Sequence, residues 1–324
     1  MLGLGANIST VNSKDPLVFS NSHSMALDGT DDFLECDIAN DIVGKRQGTI
    51  SLWVNTDARG SMAFFQAYNT AAHANNKISL HNVGISGSGP SDALVFSYTA
   101  TVEETTYYMY CAATSGTSFH GHGYSRKNAN YHSAGSGFAS EDSMYNNASN
   151  MAADNWEHYA CTWNTAETFT PTYANNTSAS ITPSELTGAM RIYRNGVLLN
   201  HGQSSGTSTV SNNNTQATGN MTEISEVEFN QMRLGVSAAT TSDTDGNISH
   251  VGIFDARLDD DAITAIYNGG TPKDLRQHNN ASSLVGYWTM QEATGEKVFD
   301  LTGSGNNFVL NNNIAYSADF TVAL

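Results

Sequence analysis

The stretch SMALDGTDDFLECD, residues 24–37, carries four aspartates and one glutamate among apolar positions that belong in a core. Met25 and Leu27 alternate along its first part, and Phe33 and Leu34 open its second part. Between them lies Asp28-Gly29-Thr30-Asp31-Asp32, which has the composition of a turn. The segment therefore reads as strand, turn, strand. Its carboxylates gather at the bend, where they do not conflict with burial of the flanking apolar residues.

The chain beyond it repeats this character. In GTISLWVN (48–55), Ile50, Leu52 and Val54 fall on one face, and Ser51, Trp53 and Asn55 on the other. SMAFFQAY (61–68), NKISLHNVG (76–84), DALVFSYTA (92–100) and TTYYMYCAA (105–113) are further strands. WEHYACTWN (156–164) sets Trp156, His158, Ala160 and Thr162 against Glu157, Tyr159, Cys161 and Trp163. MRIYRNGVLLN (190–200) is a hairpin about Asn195-Gly196, the dipeptide that best tolerates the positive φ of a type I′ turn. EFNQMRLGVS and NISHVGIFDARL add two more strands. Ten or more strands separated by turn residues predict an all-β antiparallel sandwich or jelly roll.

One short helix is expected in LDDDAITAIYNGG (258–270). Asp259 is its N-cap, carboxylates fill its first turn, and Ile263, Ile266 and Tyr267 form an i, i+3, i+4 face, with Gly269 after the last turn. Residues 1–23 lack periodicity and read as an extended arm of the kind that orders against a partner. Residues 114–150 and 200–222 are polar and read as long loops. The expected organisation is an arm at 1–23, a sandwich at 24–272, and a segment at 273–324 that returns to the sandwich.

Composition narrows the function. Net charge is −17, with only 14 Lys plus Arg among 324 residues. Such a surface repels phosphate backbones and anionic lipid, so neither nucleic-acid binding nor membrane insertion is expected. No apolar run approaches the length of a membrane span. The start has no basic region followed by a long apolar one, so no secretory signal is expected. Cys36, Cys111 and Cys161 are an odd, irregularly spaced set and read as buried free thiols from a reducing cytosol.

SMALDGTDDFLEC, GTISLWVN, WEHYACTWN, MRIYRNGVLLN, RLGVS and GNISHVGIFDARLDDDAITAIYNGG follow one another in order. This series resembles the laminin-G-like branch of the concanavalin A-like lectin and glucanase superfamily over roughly residues 24–272. LVGYWTMQEATGEKVFDLTGSGNNFVL (284–310) also resembles a signature of that family, although in many relatives it precedes the domain. Together with the GLG-N-I start, the architecture resembles virion structural proteins of tailed bacteriophages, marine ones in particular. The resemblance implies a non-enzymatic capsid decoration or head-fibre component that is assembled in the host cytoplasm. Its partners would be major capsid or fibre proteins and further copies of itself. Leu2, Leu4, Val18 and Phe19 of the arm are the anchors expected to dock on those partners.

Five residues stand as candidate ligands of a structural Ca²⁺: Asp28, Asp31, Asp32, Asn247 and Asp300. Calcium takes six to eight hard oxygen donors, and the family resemblance implies that an early and a late strand share such an ion. The competing reading is an Asx turn capped by its own aspartates. Tyr124, Tyr131 and Tyr145, beside Tyr107, Tyr108 and Tyr110, are candidate glycan-binding residues of a tail-fibre adhesin that reads host surface glycans. Packing within the loop or against a neighbouring subunit is the alternative. Glu226 and Glu228 alternate onto one strand face and are the candidate acids of a glycoside hydrolase, the least favoured function. His120, His122 and His132 lack the further ligands that a zinc site needs.

Overall fold

The alternation of apolar and polar residues is realised as strands. The computed structural model describes residues 21–38, 43, 45–56, 62–72, 76–84, 92–102, 105–114, 119–120, 155–167, 180–181, 190–198, 200–209, 214–216, 227–238, 243–312, 314–318 and 320. In chain order the strands are β1 (Ser24–Asp28), β2 (Phe33–Asp37), β3 (Gln47–Thr56), β4 (Met62–Tyr68), β5 (Lys77–Gly84), β6 (Asp92–Val102) and β7 (Thr105–Thr114). They continue as β8 (Phe119–His120), β9 (Glu157–Asn164), β10 (Ser180–Ile181), β11 (Met190–Arg194), β12 (Val197–Leu198), β13 (Asn200–Thr209) and β14 (Asn214–Gln216). The last are β15 (Gln231–Leu234), β16 (Asp245–Phe254), β17 (Leu284–Trp288), β18 (Lys297–Val298), β19 (Phe308–Asn311) and β20 (Ala315–Ser317).

Two large antiparallel sheets result. The first has the order β12-β11-β9-β3-β16-β1-β20, with β17 also on β16; the second runs β14-β13-β7-β6-β5-β4-β15-β2-β19-β18. Because β1 lies in the first sheet and β2 in the second, the acidic bend is a corner that carries the chain from one sheet to the other. The strands β3 and β4 make the same passage. This repeated exchange between two antiparallel layers is the jelly-roll sandwich expected of the sequence.

The inner faces meet in one core. Ile50, Leu52 and Val54 of β3 and Tyr159, Cys161 and Trp163 of β9 face Ile78, Leu80, Phe96 and Tyr98 of the second sheet. Rings cross the gap: Phe96 and Tyr98 lie 5.9 and 6.4 Å from Trp163, and Phe64 stacks with Tyr159 at 6.4 Å. Removing a ring as deeply buried as Trp163 would cost on the order of 3–5 kcal/mol.

A second, smaller core covers the outer face of the first sheet. Helix α1 (Asp260–Tyr267) packs Ile263 and Ile266 onto Ala160, Tyr193 and Phe254. Asp259 caps it by accepting from the Ala262 amide at 2.8 Å. Its C-cap is Asn268 in the left-handed region, φ 51°, one residue before the glycine expected there. The Asn195-Gly196 turn has φ of 50° and 77°, the two left-handed residues of a type I′ hairpin between β11 and β12. Cys36 and Cys161 are buried thiols outside any disulfide, and burial pushes the Cys36 thiol up to about 12.

One expectation is revised. Residues 200–209 are no loop: β13 pairs with β7 along ten residue pairs, from Asn200↔Thr114 to Thr209↔Thr105. Its Ser, Thr and Gly residues hide the strand from a hydrophobic-periodicity reading, because this strand, between β7 and the short β14, is held by backbone pairing rather than by an apolar stripe. The segment 273–324 feeds both sheets, β17 and β20 joining the first and β18–β19 the second.

Candidate functional site

The sheet-to-sheet corner gathers carboxylates. Gly29 turns the chain at φ 71°, and its amide donates to the Thr244 carbonyl at 3.1 Å. Asp28 Oδ1 accepts from the amides of Thr30 (2.9 Å) and Asp31 (3.4 Å), which is the Asx turn. One oxygen each from Asp28, Asp31 and Asp32 lie within 4.8 Å of one another. Asp28 and Asp31 are exposed and Asp32 is buried. Antiparallel pairing of β1 with β16 sets Asp245 opposite Asp28. Burial raises the Asp243 carboxyl, and Asp31 and Asp28 push it up further. Asp243 and Asp245 thus join the corner, and no sequence spacing announced them.

The other two candidate ligands sit elsewhere. Asn247 lies two residues further along β16, opposite Ala26 and Asn55, and its Oδ1 accepts from Ser24 Oγ at 3.2 Å. Asp300 is outside the triad. Its Oδ1 accepts from the Tyr287 amide (3.2 Å), the Thr302 amide (3.0 Å) and Thr302 Oγ1 (2.8 Å), so it organises its own Gly-rich turn.

Tyr124, Tyr131, Tyr145, His122, His132, Glu226, Leu2, Leu4, Val18 and Phe19 lie outside the described residues. His120 falls in the two-residue strand β8. Glu228 is exposed and precedes β15, so it is not on a strand face as expected.

A feature missed by the sequence reading lies on the outer face of the second sheet. The strand β5 sends Ile78 and Leu80 inward, which leaves Lys77, Ser79 and His81 outward. Register extends this face across neighbouring strands. One row runs Glu35, Arg233, Gln66, Ser79, Ser97, with Tyr110 at the next position. The adjacent row runs Asp37, Gln231, Tyr68, Lys77, Thr99, with Tyr108 next. Neither row contains an aliphatic residue. The signal in the sequence was the polar half of NKISLHNVG, whose apolar half attracts the eye.

The face is tied at one end and buried in its middle, where Gln66, Ser79, Ser97 and Thr99 are 6, 2, 0 and 7% exposed. Arg233 pairs with Glu35 at 2.6 Å and lies 4.8 Å over the Phe33 ring and 5.6 Å over the Tyr68 ring. The Tyr68 hydroxyl donates to Gln231 Oε1, and Gln231 Nε2 donates to Asp37 Oδ1 at 3.2 Å. Further along, the Ser79 and Ser97 hydroxyls meet at 2.9 Å, and Ser79 Oγ is 3.4 Å from His81 Nδ1. Burial lowers Lys77 and holds His81 down to about 3, with Lys77 adding to the effect on His81.

No protein-family model matches the chain, and no curated protein matches its sequence. Solved structures do resemble it. A Bacteroides ovatus structure assigned as a carbohydrate-binding protein aligns with TM-score 0.45 at 11% identity over 94% of this chain and 60% of its own. The heptameric SAP-like pentraxin of Limulus polyphemus gives 0.46 at 11% identity over 92% and 96%. The enzymatically active domain of tailspike protein 2 from bacteriophage CBA120 gives 0.37 at 10% identity over 78% and 28%. The chain therefore spans less than two thirds of the Bacteroides protein and under a third of the bacteriophage one. None of these scores reaches 0.5, and the two antiparallel sheets themselves show a β-sandwich of the jelly-roll type.

Proposed function

We propose that this chain is a non-catalytic, glycan-binding sandwich displayed on a virion. The observation that carries the binding reading is the partly exposed end of the polar rows on the second sheet, where Glu35, Asp37, Gln231 and Arg233 lie beside the Phe33 ring. Sugars offer hydroxyls to such groups and CH faces to rings. The carboxylates on that face, Glu35 and Asp37, sit at one end and are engaged by Arg233 and Gln231. That engagement suits an anchoring role better than an acid/base pair.

The virion setting is supported by the resemblance of the start and the C-terminal stretch to tailed-phage proteins. In that setting the chain is a capsid decoration or head-fibre component that docks on capsid or fibre proteins; the alternative is a tail-fibre adhesin. The donor set at the corner fits a calcium ion, since hard carboxylate oxygens are what that cation takes. Asp28, Asp31 and Asp32 would hold it, with Asp243 beside them. Bound there, the ion would supply a cross-link between the two sheets.

A glycan array probed with the purified chain tests the binding reading. Binding that is lost in Phe33→Ala and Gln231→Ala is expected, and a blank array would remove it. Mass spectrometry of purified particles tests the setting, which fails if the chain is absent from them.

A further inference from the structure

The row that holds Arg233 and Glu35 continues to the sheet edge. Register carries it to Val309 of β19, opposite Glu35, and then to Lys297 of β18, opposite Val309. The strand β18 is the last of the second sheet. Leu34, Phe308 and Val298 of these three strands enter the core, which leaves Phe33, Glu35, Val309 and Lys297 outward. Burial keeps alternating beyond β18, with Val298 buried, Phe299 exposed and Asp300 buried, so Phe299 follows Lys297 on the outer side.

Among the described residues, the large apolar side chains exposed to water include Phe299 at 52% and Val309 at 43%, and both stand on this corner. Single exposed apolar residues are ordinary, but these two share one face with the half-exposed Phe33 ring and form a patch. Phe33 lies opposite Asn311, two residues from Val309, and Phe299 lies two residues from Lys297 in the opposite direction along the sheet. The two rings are therefore diagonal to each other, about 16 Å apart by strand spacing and rise, which is the span of roughly three linked sugars. Val309 sits midway.

The ground between the rings is polar. Gln231, Asp37 and Asn311 border it with amide and carboxylate groups, and all three are at least partly exposed. A protein interface centres on contiguous apolar area, whereas here each ring is bordered by hydrogen-bonding groups. A sugar chain matches that alternation, since every unit offers an apolar CH face and a rim of hydroxyls. The charges of the corner offset one another: Glu35 pairs with Arg233 at 2.6 Å, and Asp37 is balanced by Lys297. With a net charge of −17 around it, this corner has no surplus of cations to draw an acidic glycan.

We infer that the outer corner formed by β2, β19 and β18 takes a neutral oligosaccharide, which lies diagonally from Phe33 across Val309 to Phe299. The inference rests on the glycan-binding reading above and adds the class of sugar, its length and the residues at its far end.

The test titrates the full chain with maltotriose beside maltose, cellotriose beside cellobiose and mannotriose beside mannobiose, at low and high salt. At least one trisaccharide is expected to bind about tenfold tighter than its disaccharide, with the same advantage at both salt concentrations. Phe299→Ala and Val309→Ser should each erase that advantage, while Phe299→Tyr retains it. Both side chains are exposed, so the melting temperatures of these variants should stay close to that of the wild type. Equal binding of both members of every pair overturns the inference and leaves the glycan reading standing. An advantage that survives Phe299→Ala also overturns it, and if that variant instead loses self-association or incorporation into particles, the corner is a protein contact. Binding of none of the six sugars overturns the inference, and a blank glycan array beside it takes down the parent reading too. A Phe299→Ala chain that melts well below wild type makes Phe299 a structural residue and overturns the inference as well.

Discussion

Gly29 packs against Asp245 so closely that a Cβ at position 29 would lie 2.8 Å from the Cβ of that aspartate. The residue also sits at φ 71°, where a side chain is strained whatever the space. Both demands fall on the corner that carries the chain between the sheets. Gly29→Ala should therefore cost about 1–3 kcal/mol and lower the melting temperature by several degrees. A cycle with Asp245→Gly separates the two contributions: the double variant should keep only the dihedral part. Strict additivity would show that the close approach costs nothing.

The three aspartates of this corner repel one another when no cation lies between them. Calcium should raise the melting temperature of the wild type, and a chelator should reverse the rise. At a hundred times its dissociation constant the ion would add about 2.7 kcal/mol. Asp31→Asn should abolish the response and, in chelator, should stabilise by relieving repulsion. The Asp243 carboxyl is raised in the fold, so its contribution is present below the ordinary carboxylate range and is lost as pH rises through its folded value. Asp243→Asn should accordingly help at neutral pH. Identical melting curves in calcium and in chelator would leave only the Asx turn.

His158 is fully buried on the outer face of the first sheet, its Nε2 2.8 Å from Ser51 Oγ. Its ring lies 5.3 Å from Trp53 and 6.0 Å from Tyr267. Burial holds its pKa down to about 3, against an ordinary 6.5. Between those values the unfolded chain binds a proton that the folded chain refuses. Stability should therefore fall as pH drops below about 6.5, by about 1.4 kcal/mol per pH unit from this residue. Urea unfolding of wild type and His158→Gln across pH 4–7 checks it. The gap between the two should narrow or reverse on acidification, and parallel curves would sink the assignment.

The architecture was legible wherever side-chain chemistry is local. Ile50-Leu52-Val54 and Tyr159-Cys161-Trp163 announce their inner faces by alternation, and Asn195-Gly196 and Asp259 announce a turn and a cap. The strand Asn200–Thr209 was hidden because backbone pairing leaves no hydrophobic trace. Asp28, Asp31 and Asp32 were readable as a group because one turn holds them. Asp243 and Asp245 were not, since only the pairing of β1 with β16 brings them there. The polar face was hidden for the same reason: Gln66, Ser79 and Ser97 become a row only through register across three strands.

A last prediction concerns the hairpin end of β9. Glu157 is buried; one carboxylate oxygen pairs with Arg194 Nη2 and the other accepts from the Tyr159 hydroxyl. Burial, then the Glu157 charge, pushes the Tyr159 phenol well above its ordinary value, so the tyrosine stays a donor throughout the usable pH range. Glu157→Gln leaves Arg194 with its charge unmatched, and should cost about 2–4 kcal/mol. Arg194→Met leaves the carboxylate buried with only the tyrosine, and should cost a similar amount. The double variant removes both charges together, so its loss should be smaller than the sum by at least about 1 kcal/mol. Urea unfolding of the four chains measures that coupling. Losses that simply add would mean the pair contributes as two separate side chains, and that packing of Tyr159 against Phe64 alone holds this end of the sandwich.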